Sequence, residues 1–237
     1  MRPVYTRRIR LRAEHVDMDR RLRPTELMRL FQQCCISHTE ELGMGRAMTL
    51  DRGLLWVVVS ERIVMDRMPE YDEEITLECT PGQTLHYFFP RNLVVRDASG
   101  ETIVRAKAMW ALIDEKTRQM ADPSEKGIVI DGSDEADDLA PVMSIPAPQP
   151  EGTFGCVASY SMTDINGHVN NASYLSLALD ELYNRTGTVF PLHEIAMVFK
   201  KEIPFGTRFS VAYCSAVRGE AGRRYFDCPF FSIKITV

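Results

Sequence analysis

The sequence predicts an α+β chain made of two similar halves, each an antiparallel sheet wrapped around one long helix. Three observations predict it. Each half reads as a strand, one amphipathic helix and then a run of strand-like blocks. A segment rich in proline and acidic residues separates the halves. Placing Asp19 opposite Asp164, an offset of 145 residues (164 − 19), sets the two helix starts in phase.

The first half opens with the strand-like YTRRIRLRAEHV. Pro24 and Thr25 introduce a helix whose Leu27, Leu30, Phe31, Cys34 and His38 fall near one face, and Gly43 stops it. The blocks LLWVVVSERIVM, EITLECT, HYFFPRNLVVRD and ETIVRAKAMWALID follow as strands. Asp97-Ala98-Ser99-Gly100 joins the last two as a hairpin turn. Residues 122–151 hold five of the thirteen prolines and an acidic run from Asp131 to Asp138, so they read as a linker with little apolar area to bury. The boundaries expected are therefore 1–121, a linker at 122–151, and 152–237. The second half opens with GCVASYSM. Its helix places Leu175, Ala178, Leu179 and Leu182 at i, i+3, i+4 and i+7. EIAMVFKKEI, FSVAYCSAV and RRYFDCPFFSIKITV follow as strand-like blocks.

Bulk properties narrow the function. A chain of 237 residues, 45% hydrophobic, buries a sizeable core. A net charge of −5 argues against general nucleic-acid binding. The charge is uneven: residues 1–30 carry nine arginines and four acids, which leaves them +5 and the remainder −10. Such an end suits an acidic partner, or simply a solvated strand surface. The six cysteines include no CxxC pair and no histidine at metal-ligand spacing, which points to reduced thiols in a cytoplasmic protein and to no metal centre. The stretch MRPVYTRRIRLR lacks the apolar core of a secretory signal, and no stretch approaches the roughly 20 apolar residues of a membrane helix.

Chemistry concentrates in Asp164-Ile165-Asn166-Gly167-His168-Val169-Asn170-Asn171, just before the second helix. Asn170 or Asn171 suits the N-cap. The first N–H groups of the helix then lack partners within it, and the helix dipole adds positive potential, so a carbonyl oxygen gaining charge would be stabilised there. In an extended segment the alternate spacing aims Asp164, Asn166 and His168 to one side. Asp164 can orient or activate water, His168 can move a proton near neutral pH, and Asn166 can position groups without titrating. Together they look like machinery for attacking an acyl carbonyl. The plainer reading is an Asx-capped turn with an exposed histidine.

With Tyr174 three residues on, this stretch resembles the signature of the plant and bacterial acyl-ACP thioesterases. These are double hotdog enzymes, each hotdog a sheet curled around a long helix. The resemblance extends to Trp56 in the strand after the first helix and to Trp110-Ala111-Leu112-Ile113-Asp114. It implies hydrolysis of a fatty acyl-ACP thioester in fatty acid biosynthesis, with no cofactor. Asp164, Asn166 and His168 match the family's catalytic residues, and Glu202 matches a further one. Read alone, Glu202 is a strand-end charge beside Lys200 and Lys201. The plant enzymes carry a cysteine after that glutamate; here it is Ile203, so water rather than a cysteine is expected to attack, with Glu202 or Asp164 as base. Asn170, Asn171 and Tyr174 are expected against the substrate. The first half is expected to be catalytically silent, Arg21 and Arg23 standing in the places of Asn166 and His168 at the 145-residue offset, and to shape the acyl pocket with Leu27, Leu30, Phe31, Cys34 and Trp56. Trp56 also fits a purely structural role. The implied partner is acyl carrier protein bearing a fatty acyl chain. That carrier is acidic, which makes the basic N-terminal region a possible docking face. No membrane insertion is expected, and either a monomer or a homodimer fits. An acyl-CoA thioesterase and a non-catalytic acyl-thioester binding protein are the competing readings.

Overall fold

The computed structural model describes residues 4–132, 139–215 and 222–237. The strands are β1 (Tyr5–Arg10), β2 (Leu54–Met65), β3 (Glu74–Pro81), β4 (Phe88–Arg96), β5 (Thr102–Asp114), β6 (Gly152–Val157), β7 (Glu194–Phe199), β8 (Arg208–Cys214), β9 (Arg223–Asp227) and β10 (Phe231–Thr236). The helices are α1 (Pro24–Glu41), the single turn α2 (Pro123–Lys126) and α3 (Asn171–Thr186). Two compact units form: Met1–Glu61 with Met68–Pro141, and Arg62–Arg67 with Val142–Val237.

In the first unit the strands run in the order β1-β3-β4-β5-β2. Period-2 patterning builds it: β3 buries Ile75, Leu77 and Cys79 on one face and leaves the alternate residues less covered. α1 lies against β1 and β3 and buries Leu27, Leu30, Phe31, Cys34 and His38. Each such leucine or phenylalanine contributes roughly 1.5–3 kcal/mol of apolar burial. The hairpin predicted at Asp97–Gly100 forms, with Gly100 donating to Asp97 O at 3.0 Å and Asp97 to Glu101 O at 3.0 Å.

The second unit orders its strands β7-β10-β9-β8-β6. α3 packs on β10 and buries Tyr174, Leu175, Ala178, Leu179 and Leu182. The C-terminal block read as one strand is two. It breaks at Cys228-Pro229-Phe230, where proline cannot donate to a ladder, and β10 pairs with both β7 and β9. Each unit is thus an antiparallel sheet with one long helix against it, the hotdog arrangement.

The segment after Ala121 departs from the linker expectation in part. Ile128 and Ile130 are buried while Gly127 and Val129 are exposed, so an alternating pattern seats this stretch on the first unit. Most of the acidic run, residues 133–138, lies outside the described residues.

The two units repeat a turn before their long helix, in a register that corrects the expected one. Asp17 donates its N–H to Arg21 O at 2.8 Å, as Asp164 does to His168 O at 2.8 Å. Asp17 Oδ1 accepts from Asp19 N–H at 2.9 Å, as Asp164 Oδ1 accepts from Asn166 N–H at 2.8 Å. Leu22 N–H reaches Pro69 O at 2.8 Å, as Val169 N–H reaches Ile203 O at 2.9 Å. Arg20 and Gly167 both take the left-handed conformation, with φ of 60° and 75°. Asp17 therefore matches Asp164, an offset of 147 residues (164 − 17), and Asp19 and Arg21 stand where Asn166 and His168 do. Arg23 corresponds instead to the N-cap Asn170.

Candidate active site

The Asp164–His168 turn is built by its own first residue. Asp164 accepts the Asn166 N–H on its side chain and the Gly167 N–H, at 3.1 Å, on its backbone carbonyl. This Asx turn needs a left-handed residue at its end, which Gly167 supplies at no steric cost. The turn thus commits one Asp164 oxygen to structure. Ile165 and Asn166 project from its tip into solvent.

A long-range pairing completes the group. His168 forms an antiparallel bridge with Pro204, and Val169 N–H donates to Ile203 O. These bonds carry Glu202 beside the turn, where its Oε1 lies 3.8 Å from His168 Nδ1. That nitrogen is buried and makes no hydrogen bond among the described residues. The two side chains keep 26% and 39% of their exposure, so solvent reaches the pair.

α3 starts where its sequence says. Asn170 is the N-cap, its Oδ1 accepting from Ala172 N–H at 3.0 Å. Asn170 O accepts from Ser173 N–H at 2.8 Å. Two of the first N–H groups, expected to be open, are therefore taken. The Asn171 N–H is left without a hydrogen bond among the described residues.

Tyr174 does not join the exposed turn. Its ring packs on Phe231 and Phe199, with centroids 5.0 and 5.8 Å away, and it is only 2% exposed. Burial pushes its hydroxyl well above the ordinary phenol range, against a lowering hydrogen bond from the backbone of Ile203; the charges of Cys228, Glu202 and Asp164 raise it further. Tyr174 thus braces, from the core, the strand end that carries Glu202. Sequence reasoning passed over Met162 and Ser173, which tie the turn to the helix: Asn170 N–H donates to Met162 O at 2.8 Å, and Ser173 Oγ donates to the same oxygen at 3.2 Å. An amphipathic reading treats Ser173 as an ordinary helix polar residue, so only its position directly after Asn170-Asn171-Ala172 hinted at a role.

The residues expected to shape the acyl pocket lie in the first unit. Leu27, Leu30, Phe31 and Cys34 are closed in the core of the first unit, each 3% exposed or less. Trp56 is half-buried, donates to Met44 O at 3.2 Å and meets Phe89 edge-on at 4.8 Å. A cavity of about 560 Å³ in that unit is lined by Gln83, His86, Tyr87, Asp122, Ile128 and Ile130, with none of those five residues among its walls. Of the arginines of the basic end, Arg10 and Arg12 both pair with Asp72 at 3.1 Å. Arg7 and Arg29 are held by Gln33 and Glu26. Among the described residues, no cluster of three or more His, Cys, Asp or Glu is placed to hold a metal ion, and no helix is long and apolar enough to cross a membrane. All six cysteines are free thiols, and burial raises Cys34 to about 12 and Cys156 to about 11. The position after Glu202 is the fully buried Ile203.

Known proteins resemble this chain over most of its length. An acyl-[acyl-carrier-protein] hydrolase of Cuphea viscosissima is 24% identical over 206 residues, covering 81% of this chain and 50% of the relative. A dodecanoyl-[acyl-carrier-protein] hydrolase of Umbellularia californica is 26% identical over 210 residues, covering 81% and 54%. The chain spans about half the length of these curated relatives. The crystal structure of an acyl-ACP thioesterase from Bacteroides thetaiotaomicron shares the fold, with a TM-score of 0.81 and 23% identity over 98% of this chain and 97% of that one. Residues 2–126 match the acyl-ACP thioesterase N-terminal domain and residues 157–225 the acyl-ACP thioesterase C-terminal domain, and the chain belongs to the acyl-ACP thioesterase family.

Proposed function

We propose that this protein hydrolyses the thioester of a fatty acyl group carried on acyl carrier protein, releasing the free fatty acid. The observation that carries this reading is the His168–Glu202 pair, the histidine on the turn before α3 and the glutamate in the segment after β7, in a chain of this family.

The chemistry follows from what each group has to offer. Water attacks the thioester carbonyl carbon, and the His168–Glu202 pair takes its proton, Glu202 stabilising the imidazolium through Nδ1. Glu202 is assigned this role by position, its Oε1 lying 3.8 Å from His168 Nδ1, while an Asp164 oxygen accepts the Asn166 N–H and holds the turn. The carbonyl oxygen becomes an oxyanion at the N-terminus of α3, where the Asn171 N–H is open and the dipole of a 16-residue helix favours negative charge. The C–S bond then breaks, and His168 returns the proton to the leaving sulfur. Asn166, at the exposed tip, positions the thioester. Asp164 closes the turn that holds Asn166 and His168 in place. No cysteine nucleophile is needed.

The test is thiol release from matched acyl-ACP and acyl-CoA substrates over a range of chain lengths, with His168→Ala alongside. Faster cleavage of acyl-ACP, lost in the variant, supports the reading. Preference for acyl-CoA changes the carrier, and cleavage of neither thioester removes the enzymatic reading.

A further inference from the structure

Three large apolar side chains stand in solvent around the Asp164–His168 turn. Ile165 is 99% exposed, Tyr160 83% and Phe205 62%. Backbone hydrogen bonds bring the segments that carry them together. Phe205 N–H donates to Gly167 O at 3.3 Å, Thr163 N–H donates to Tyr160 O at 3.1 Å, and Gly206 N–H donates to Ala158 O at 2.9 Å. Leaving such side chains in water costs apolar transfer free energy, and exposed apolar groups clustered beside a reactive site mark a contact surface.

Beside the Glu202 carboxylate, whose Oε1 lies 3.8 Å from His168 Nδ1, the rim carries two cations. Lys201 and Arg208 stand four residues before and three after Phe205 in the sequence, and both are exposed, with no ion pair to a carboxylate for either among the described residues. Arg208 faces Val157 across the β6–β8 ladder, and Val157 is itself 42% exposed. Neighbouring Lys200, by contrast, is neutralised by Asp227 at 2.6 Å. Apolar side chains with two unpaired cations beside them suit an acidic protein that buries apolar side chains of its own.

Resting on the carrier reading of the same site, we infer that the rim formed by Tyr160, Ile165 and Phe205, with Lys201 and Arg208, is where the acidic acyl carrier protein docks. A thioester reaching His168 arrives at an exposed turn, so the folded protein that carries it stands over this rim. A small thioester needs no such platform. The rim therefore sets affinity for the carrier, while the His168–Glu202 pair sets the chemistry.

The experiment compares Tyr160→Glu/Phe205→Glu with the unaltered protein on two substrates of one acyl chain: acyl-ACP and the acyl thioester of N-acetylcysteamine. Both altered side chains are exposed, and turnover of the small thioester reports that the fold and site survive. The expected result is a KM for acyl-ACP raised at least about tenfold, with kcat/KM for the small thioester within about twofold. An unchanged KM for acyl-ACP overturns the inference, as does equal loss on both substrates. Sedimentation of the unaltered protein supplies a further check: a dimer that the double variant dissociates gives the rim to a second copy of the chain and overturns it. If the unaltered protein cleaves the small thioester but not acyl-ACP, the carrier reading itself fails and the inference falls with it.

Discussion

His168 Nδ1 and Glu202 Oε1 lie 3.8 Å apart, a distance that a small side-chain rotation turns into a charge-assisted hydrogen bond. If the two act as one unit, their effects do not add. His168→Ala and Glu202→Gln are each expected to lower kcat at least about a hundredfold. The double variant is expected to be no slower than the slower single. Steady-state turnover of acyl-ACP by all four proteins measures this, and losses that multiply would separate the two residues.

Asp164 is expected to act through the turn it closes. Asp164→Ala removes the acceptor for the Asn166 N–H, with an expected loss of about 1 kcal/mol of stability and at least about a hundredfold in turnover. Asp164→Asn keeps a side-chain oxygen and loses the charge. It is expected to recover the stability and most of the rate, measured by urea denaturation and turnover together. An Asn variant as slow as the Ala variant but as stable as the unaltered protein would make Asp164 the base instead.

How legible this was depended on whether the deciding contacts were local. Asn170 capping α3 follows from residues two apart, and the chain reads it directly. The expectation placing Glu202 at the site came from family likeness; the physical reason is the bridge between His168 and Pro204, which no local pattern displays. The repeat register was missed by two residues because Asp17 and Asp19 are both plausible turn starters. Only the Asx geometry, with Asp17 Oδ1 accepting from Asp19 and Arg21, separates them. Ile128 and Ile130 were hidden by the prolines and acids around them, although their alternation is that of an ordinary buried strand edge.

The corrected register yields a paired prediction on backbone strain. Gly167 sits at φ 75° with nothing near the position of a Cβ, so Gly167→Ala costs conformational energy and no clash, about 1 kcal/mol. Arg20, its counterpart, holds φ 60° with a full side chain. Arg20→Gly is expected to be neutral or to stabilise by a few tenths of a kcal/mol, the relief of strain offset by the freer unfolded chain. Denaturation midpoints of the two variants test the equivalence. A destabilisation above about 1 kcal/mol in Arg20→Gly would mean that the arginine side chain holds the first turn.

A buried carboxyl in the first unit is expected to make stability fall with rising pH. Glu61 is 6% exposed, and burial lifts its pKa from 4.5 to about 8. The folded state therefore keeps the Glu61 proton between those values, while the unfolded state has released it. With more protons bound to the folded form, stability declines as pH rises from about 4.5 through about 8 and is flat in this respect beyond. Glu61→Gln, which cannot ionise, is expected to remove that decline. Relative to the unaltered protein it gains stability between pH 5 and pH 9, by up to several kcal/mol at the upper end. Urea denaturation of both proteins at a series of pH values measures the difference. Parallel curves would mean that Glu61 ionises in the folded protein at its ordinary pKa, with water reaching its carboxyl.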